Sequence, residues 1–208
     1  FGKFRRLARD LSREMGREVE LVTEGAETEL DKTVIEKLND PLIHLIRNSV
    51  DHGIESPDER RAAGKNPVGT VRLSASQAGA DILIEISDDG AGIDTADVWR
   101  KAVEKGLVDA DAQLSMQEIY ALVFMPGFST ARKVTSVSGR GVGMDVVSNE
   151  VKQLGGSLQI DSEYGKGTTF TIRLPFTLAL NQALLIEVGE DTYAIPLSSI
   201  AGTVRMRR

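Results

Sequence analysis

PLIHLIRNSVDHGIE, residues 41–55, is the stretch whose reading decides the fold. Wound as a helix from His44 at about 100° per residue, it places Asn48 near about 40°, Asp51 near about −20° and Glu55 near about 20°. Arg47 and His52 flank that stripe, while Leu42, Ile43, Leu45, Ile46 and Val50 fill the opposite arc. An ordinary solvated face carries Lys, Glu, Arg or Gln, which favour helix. His, Asn and Asp compete with the backbone for hydrogen bonds and favour it less. A helix that keeps such residues on one face through successive turns is expected to use them. Gly53 is expected to close the helix or distort its last turn, which takes Glu55 off the stripe and leaves it a bystander.

Upstream, Asp40-Pro41 is expected to begin this helix, because proline is tolerated in a first turn. Asp31 reads as the N-cap of a short helical stretch with Val34, Ile35 and Leu38 behind it. Phe4, Leu7, Ala8, Leu11 and Met15 recur at helical spacing and predict a helix over 1–16, ended by Gly16. Residues 18–22 alternate as a strand, and 23–30 form an acidic loop.

Downstream, 56–67 is polar and holds Pro57, Gly64 and Pro67, so it reads as a loop with at most a turn or two of helix. Val71, Leu73 and Ala75 alternate, as do Ile82, Ile84 and Ile86, predicting two strands paired through Gly79. Helices are predicted from Val98 to Gly106 and from Met116 to Phe124. They lie inside 94–138, a long mixed segment between two glycine motifs and a candidate lid or mobile loop. A helix is predicted from Gly143, with Val147, Val151 and Leu154 on one face and Gly155-Gly156 as its stop. Strands 157–161 and 168–174 flank the turn EYGKG. This order predicts an α+β fold, a two-layer sandwich with helices packed on one face of a mixed β-sheet.

Past Pro175 the pattern changes. Residues 183–188 are apolar, 189–191 read as a turn and 193–200 as a second strand. We expect a first domain over 1–176 and the start of a separate β domain over 177–208. The chain opens on Phe1 and ends in Arg205-Met206-Arg207-Arg208, as a piece of a longer polypeptide would.

Composition narrows the function. The net charge is −6 and the isoelectric point about 5.1, the wrong sign for binding a phosphate backbone. No nucleic acid partner is expected. The 208 residues include no Cys, which excludes disulfide scaffolds and thiolate metal sites and points to a reducing, cytoplasmic location. No apolar run approaches about 18 residues, so no membrane insertion is expected. No signal peptide is visible.

Three glycine motifs carry the chemistry. Asp88-Asp89-Gly90-Ala91-Gly92 follows a strand, and a carboxylate fixed there can accept a hydrogen bond from an exocyclic amine while glycines admit a flat ring. By itself this is also an ordinary turn. Gly139-Arg140-Gly141-Val142-Gly143 precedes a helix, where backbone N–H groups and the helix dipole favour phosphate. Its G-x-G-x-G spacing is neither the dinucleotide fingerprint nor a P-loop. Gly165-Lys166-Gly167-Thr168-Thr169 alone is a hairpin loop.

In combination the motifs are far more specific. From about residue 10 to 175 the sequence resembles the GHKL nucleotide-binding superfamily, and more closely the ATP-binding kinase domain of chemotaxis-type histidine kinases, the CheA family. The residues that carry this are HLIRNSVDHGIE (44–55), SDDGAGI (87–93), FMPGFST (124–130), SGRGVGMDVV (138–147) and YGKGTTF (164–170). The segment from Leu178 resembles the beginning of that family's SH3-like regulatory domain, through which coupling protein and chemoreceptor are engaged.

The resemblance implies ATP and Mg²⁺ as cofactors. It implies that Asn48 coordinates the metal through its side-chain oxygen, in keeping with the hard oxygen ligands Mg²⁺ takes. Asp88 would hold the adenine amine. Gly90, Gly92, Gly141 and Gly143 would let the backbone close on base and phosphates, with Ile93, Ser138, Gly139, Val142 and Met144 beside them in the same motifs. Arg47, Asp51 and His52 would line the nucleotide, and Thr168 or Thr169 would sit beneath the adenine. Lys101, Lys133 and Arg140 would reach toward phosphate, although Asp97 stands where another base is expected. His44 stands where GHKL ATPases carry the Glu that activates water. It is expected to do acid/base or positioning work near the γ-phosphate.

The implied activity is that of a histidine protein kinase in two-component signalling. The phosphoryl acceptor would be a histidine on a separate phosphotransfer domain, with a response regulator served indirectly and dimerisation through an upstream domain. The competing readings are an ATPase that hydrolyses ATP to water and a non-catalytic nucleotide-binding scaffold for receptor coupling.

Overall fold

The structure, a computed structural model, describes residues 2–25, 32–128, 143–175, 183–188 and 191–196. The chain divides into two compact units, Phe1–Phe176 and Thr177–Arg208. In the first unit the elements run α1 (Gly2–Met15), β1 (Val19–Glu24), α2 (Lys32–Asn48), a π-turn (Ser49–Gly53), α3 (Pro57–Ala62), β2 (Gly69–Ala78), β3 (Asp81–Asp88), α4 (Thr95–Glu104), α5 (Met116–Leu122), α6 (Met144–Gln153), β4 (Ser157–Glu163) and β5 (Gly167–Pro175).

One five-stranded sheet, in the order β1-β2-β3-β5-β4, organises this unit. Only β1 and β2 run parallel; every other neighbouring pair is antiparallel. The expected mixed sheet with helices on one face is what forms. Val71, Leu73 and Ala75 of β2, Ile82, Ile84 and Ile86 of β3, and Phe170, Ile172 and Leu174 of β5 are buried on that face. They share one core with Phe4, Ala8 and Leu11 of α1, with Leu38, Leu45 and Ile46 of α2, and with Val147 and Val151 of α6. Each such Ile or Leu gains about 2 kcal/mol by leaving water, so the period-two pattern decides which face is covered. A satellite cluster of Val98, Ala102 and Leu122 joins α4 to α5.

Two expectations about the opening stretch need correction. No helix begins at Asp40-Pro41: α2 runs unbroken from Lys32 to Asn48 with Pro41 inside it. An interior proline costs about 3 kcal/mol, but Val34, Leu38, Pro41, Leu42, Leu45 and Ile46 form one buried stripe across it. The summed burial outweighs the lost hydrogen bond. The α-helical count also fails beyond Asn48. Residues 49–53 wind as a π-turn, with Ile54 N–H donating to the Ser49 carbonyl at 2.8 Å, and Ile54 is extended. Asp51 and His52 therefore leave the stripe calculated for them.

Segment 56–67 holds one short helix, α3, of six residues, within the turn or two expected there. It starts in a capping box in which the Ser56 hydroxyl accepts the Glu59 N–H and the Glu59 carboxylate accepts the Ser56 N–H. No helix of the described residues is long and apolar enough to cross a membrane. In the second unit, β6 (Ala183–Val188) and β7 (Asp191–Pro196) form an antiparallel pair. Asp191, read as part of the turn, is the first residue of β7; residues 197–200 lie outside the described residues.

Candidate functional site

β3 places the first functional group. Its inward residues Ile82, Ile84 and Ile86 alternate to Asp88, so the same pleat that buries three isoleucines aims the Asp88 carboxyl at the helix layer. Asp88 is only 8% exposed. Its Oδ1 accepts the Gly90 N–H at 3.1 Å and the Thr168 N–H at 3.3 Å. Its Oδ2 is buried with no hydrogen-bond partner among the described residues. Burial raises this carboxyl from 3.8 to about 6, against the Gly90 N–H, the nearby Ser49 hydroxyl and the Thr168 N–H, which lower it. Ser49 Oγ is near enough to act on the charge but forms no hydrogen bond of good geometry.

Glycines make the close approaches around this carboxylate. A Cβ on Gly53, at the end of the π-turn, would lie 2.9 Å from Asp88 Oδ2, and one on Gly90 would lie 2.0 Å from the Gly53 carbonyl oxygen. Gly167 has φ +128°, and a Cβ there would lie 1.9 Å from the Asp88 carbonyl oxygen. The π-turn and the motif after β3 are also bonded directly, Ala91 N–H to the Gly53 carbonyl at 2.8 Å. On the other side, Gly165 N–H donates to the Ala91 carbonyl at 2.6 Å and Ile93 N–H to Ser162 Oγ at 2.9 Å. Two of the three motifs are thereby brought around one carboxylate.

An acceptor atom buried without a donor is costly until one meets it. Beside side-chain-free glycine surface, Oδ2 fits a planar ligand edge bearing an amine. The residues present thus fit an adenine-type base on an observation of the molecule itself.

The end of α2 carries the second group. Asn48 Nδ2 donates to Met144 Sδ at 3.0 Å, tying α2 to the first turn of α6. Its Oδ1 has no hydrogen bond among the described residues, so the atom a hard cation prefers remains available. Among the described residues no three His, Cys, Asp or Glu side chains gather into a metal site; a cation here would depend on ligand oxygens and water. Gly143 caps α6 with no side-chain bond, and Cβ substitution there would meet Asp145 Oδ1 at 2.3 Å.

His44, one turn before Asn48, is half-buried. Burial pushes its imidazole below 6.5, the charges of Arg47 and His52 push it further, and Asp145 opposes them. The ring is therefore predominantly neutral at pH 7 and able to accept a proton. Asp51 and His52 lie 3.6 Å apart, Asp51 Oδ2 to His52 Nε2, and His52 is exposed.

The remaining expected residues divide. Thr168 is buried beside Asp88 and its hydroxyl meets Ser162 Oγ at 3.1 Å. Thr169 pairs with Ser87 on the opposite face of the sheet and is not brought to the site. Lys101 lies on the exposed side of α4 with its ammonium on Asp97 at 2.6 Å. Arg100 also pairs with Asp97. Lys133, Ser138, Gly139, Arg140, Gly141 and Val142 lie outside the described residues.

Sequence reading missed the ionic lattice under the Asp88–Gly92 loop. Glu55, set aside as a bystander, is bound by Lys65 at 2.7 Å and Arg60 at 3.0 Å. No local signal marks Arg60 as buried. The five-residue steps from Glu55 to Arg60 to Lys65 are the only pattern that could have drawn notice.

Residues 37–178 match the family model "Histidine kinase-, DNA gyrase B-, and HSP90-like ATPase". The chain is 55% identical over 208 residues to the sensor histidine kinase CheAY of Helicobacter pylori, covering 99% of this chain and 26% of that protein. It is 50% identical over 207 residues to the chemotaxis protein CheA of Treponema pallidum, covering 100% of this chain and 26% of that one. The chain thus spans about a quarter of the length of these curated relatives. Full-length ShkA, solved in complex with AMPPNP, matches with a TM-score of 0.53 at 20% identity over 85% of this chain and 30% of that chain, a likeness of fold.

Proposed function

This chain belongs to the family of histidine kinase-, DNA gyrase B- and HSP90-like ATPases, and from that premise we propose that it is the MgATP-binding catalytic domain of a chemotaxis-type histidine kinase. The observation that carries the reading is the Asp88 carboxylate at the end of β3, one oxygen fixed by two backbone N–H groups and the other buried without a partner between glycines. Such an acceptor suits the exocyclic amine of adenine. The match to kinases of the CheA type over the whole chain supports the same reading.

In this reading Asp88 accepts from the base, and Thr168 holds Asp88 in place through its N–H. Asn48 offers its side-chain oxygen to Mg²⁺, which when bound screens phosphate charge. The N-terminus of α6 faces phosphate, with Gly143 as its cap. Arg47 adds positive charge beside His44, His52 lines the nucleotide, and His44, neutral at pH 7, positions or accepts a proton near the terminal phosphate. ATP supplies the γ-phosphoryl group. Its P–O bond to ADP breaks, a P–N bond forms to an imidazole nitrogen of the acceptor, and the imidazole proton is released. The protein contributes orientation and charge rather than covalent chemistry.

The acceptor is a histidine on a separate phosphotransfer domain, since the two histidines of this chain, His44 on α2 and His52 in the π-turn that follows it, both belong to the nucleotide site of this reading. We assign 1–176 to the catalytic domain and 177–208 to the start of a coupling domain that meets coupling protein and receptor. A cytoplasmic location, a response regulator downstream and a dimer formed through an upstream domain complete the proposal. His44 in place of a catalytic Glu weighs against hydrolysis to water. Mixing this chain with a histidine phosphotransfer domain and γ-labelled ATP tests it. Label on the acceptor is expected; brisk phosphate release with an unlabelled acceptor rejects it in favour of an ATPase.

A further inference from the structure

The most completely buried cation among the described residues lies outside every motif discussed above. Arg60, in the six-residue helix α3, is 1% exposed. Its guanidinium makes four hydrogen bonds: Nε to the Asn66 carbonyl at 2.6 Å, Nη1 to Glu55 Oε2 at 3.0 Å and to the Asp89 carbonyl at 3.1 Å, and Nη2 to Asp89 Oδ2 at 2.9 Å. Lys65 completes the set. Its ammonium donates to Glu55 Oε1 at 2.7 Å, to the Asp89 carbonyl at 3.1 Å and to the Gly90 carbonyl at 2.6 Å. Asp89 is held from its far side as well, its Oδ1 accepting the Thr70 N–H at 2.9 Å.

Two cations thus balance two carboxylates in a half-buried lattice. Three of its bonds end on the carbonyls of Asp89 and Gly90, the residues immediately after Asp88. A surface ion pair would contribute little. Here the partners are fixed fore and aft, by the capping box at Ser56 and by the Thr70 bond, so the lattice sets the position of a backbone. Carbonyls pulled toward α3 leave the Gly90 N–H aimed at Asp88 Oδ1. That bond fixes one oxygen of the carboxylate and leaves Oδ2 beside Gly53 without a hydrogen-bond partner among the described residues.

We propose that Glu55, Arg60 and Lys65 are positioning residues for base recognition: the segment from Glu55 to Lys65 braces the Asp88–Gly92 loop so that Asp88 discriminates adenine from other bases. The inference rests on the nucleotide reading above. It predicts a loss of selectivity rather than a general loss of binding, because the lattice acts on the base end of the site and leaves Asn48 and α6 untouched.

Arg60→Met removes the buried guanidinium and tests folding as much as positioning, so Lys65→Met carries the decision. In the full chain, ATP and GTP affinities are measured calorimetrically for wild type, Lys65→Met, Lys65→Arg and Asp88→Ala, with thermal unfolding alongside. The expected result is an ATP-over-GTP preference reduced about tenfold in Lys65→Met, restored to within about threefold of wild type in Lys65→Arg. A merely structural role would lower the unfolding temperature and weaken both nucleotides equally, and that outcome overturns the inference. So does a Lys65→Met protein that binds as wild type does while Asp88→Ala loses ATP. A wild type that binds no ATP, or an Asp88→Ala protein that binds it undiminished, overturns the nucleotide reading and the inference together.

Discussion

Asp88 and His44 are two residues of the proposed site whose protonation is shifted by their surroundings. Asp88 titrates near about 6 when folded against 3.8 in its ordinary state. For a carboxyl raised by folding, the native state binds the extra proton between those values. Its stability cost therefore grows as pH rises from about 4 to about 6 and is constant above, reaching at most about 3 kcal/mol. Denaturant unfolding of Asp88→Asn and wild type across pH 4–8 isolates this. The variant should gain on wild type as pH rises through that window, and a pH-independent difference would contradict the assignment. His44 moves the opposite way, lowered by burial and by the charges of Arg47 and His52. Its ring signals in a nuclear magnetic resonance titration should show a midpoint below 6.5; a midpoint above it would remove the neutral imidazole from the mechanism.

At the scale of elements, the π-turn after α2 and the strand end of β3 are locked together through glycine. Gly90→Ala would force a Cβ to 2.0 Å from the Gly53 carbonyl oxygen. Overpacking of this kind costs about 1–3 kcal/mol, so chemical denaturation should register that loss together with a collapse of ATP affinity. Wild-type affinity in this variant would mean that the two elements do not form the base pocket. The legibility of the sequence divides along the same elements. Asp88 could be found because alternating isoleucines carry the reader to it and the glycines follow at once. Pro41 reads locally as a helix start, but the buried stripe of α2 continues on both sides of it. Thr168 and Thr169 could not be separated without the β3–β5 register, which pairs Asp88 with Thr168. Arg60 was invisible because PDERRA has the composition of a solvated helix. Only the convergence of Glu55 and Asp89, far apart in sequence, makes burial of a guanidinium tolerable.

Over the whole molecule, the sheet acts as a platform that brings two distant glycine motifs and one helix end to the rim of β3. A covered sheet with a polar rim at its strand ends is a general solution for holding a flat ligand. The chain should catalyse phosphoryl transfer from ATP without accepting the group itself: incubated alone with γ-labelled ATP, it should acquire no acid-labile label, since His44 and His52 are its only histidines. Stable self-labelling would place an acceptor within the chain and reverse its role. The most direct test of the central claim is calorimetric titration of MgATP into wild type, Asp88→Ala and Asn48→Ala. The account predicts binding by wild type, loss of at least about 100-fold in Asp88→Ala at any Mg²⁺ concentration, and a weakening in Asn48→Ala that excess Mg²⁺ partly restores. Equal binding by all three proteins would contradict it.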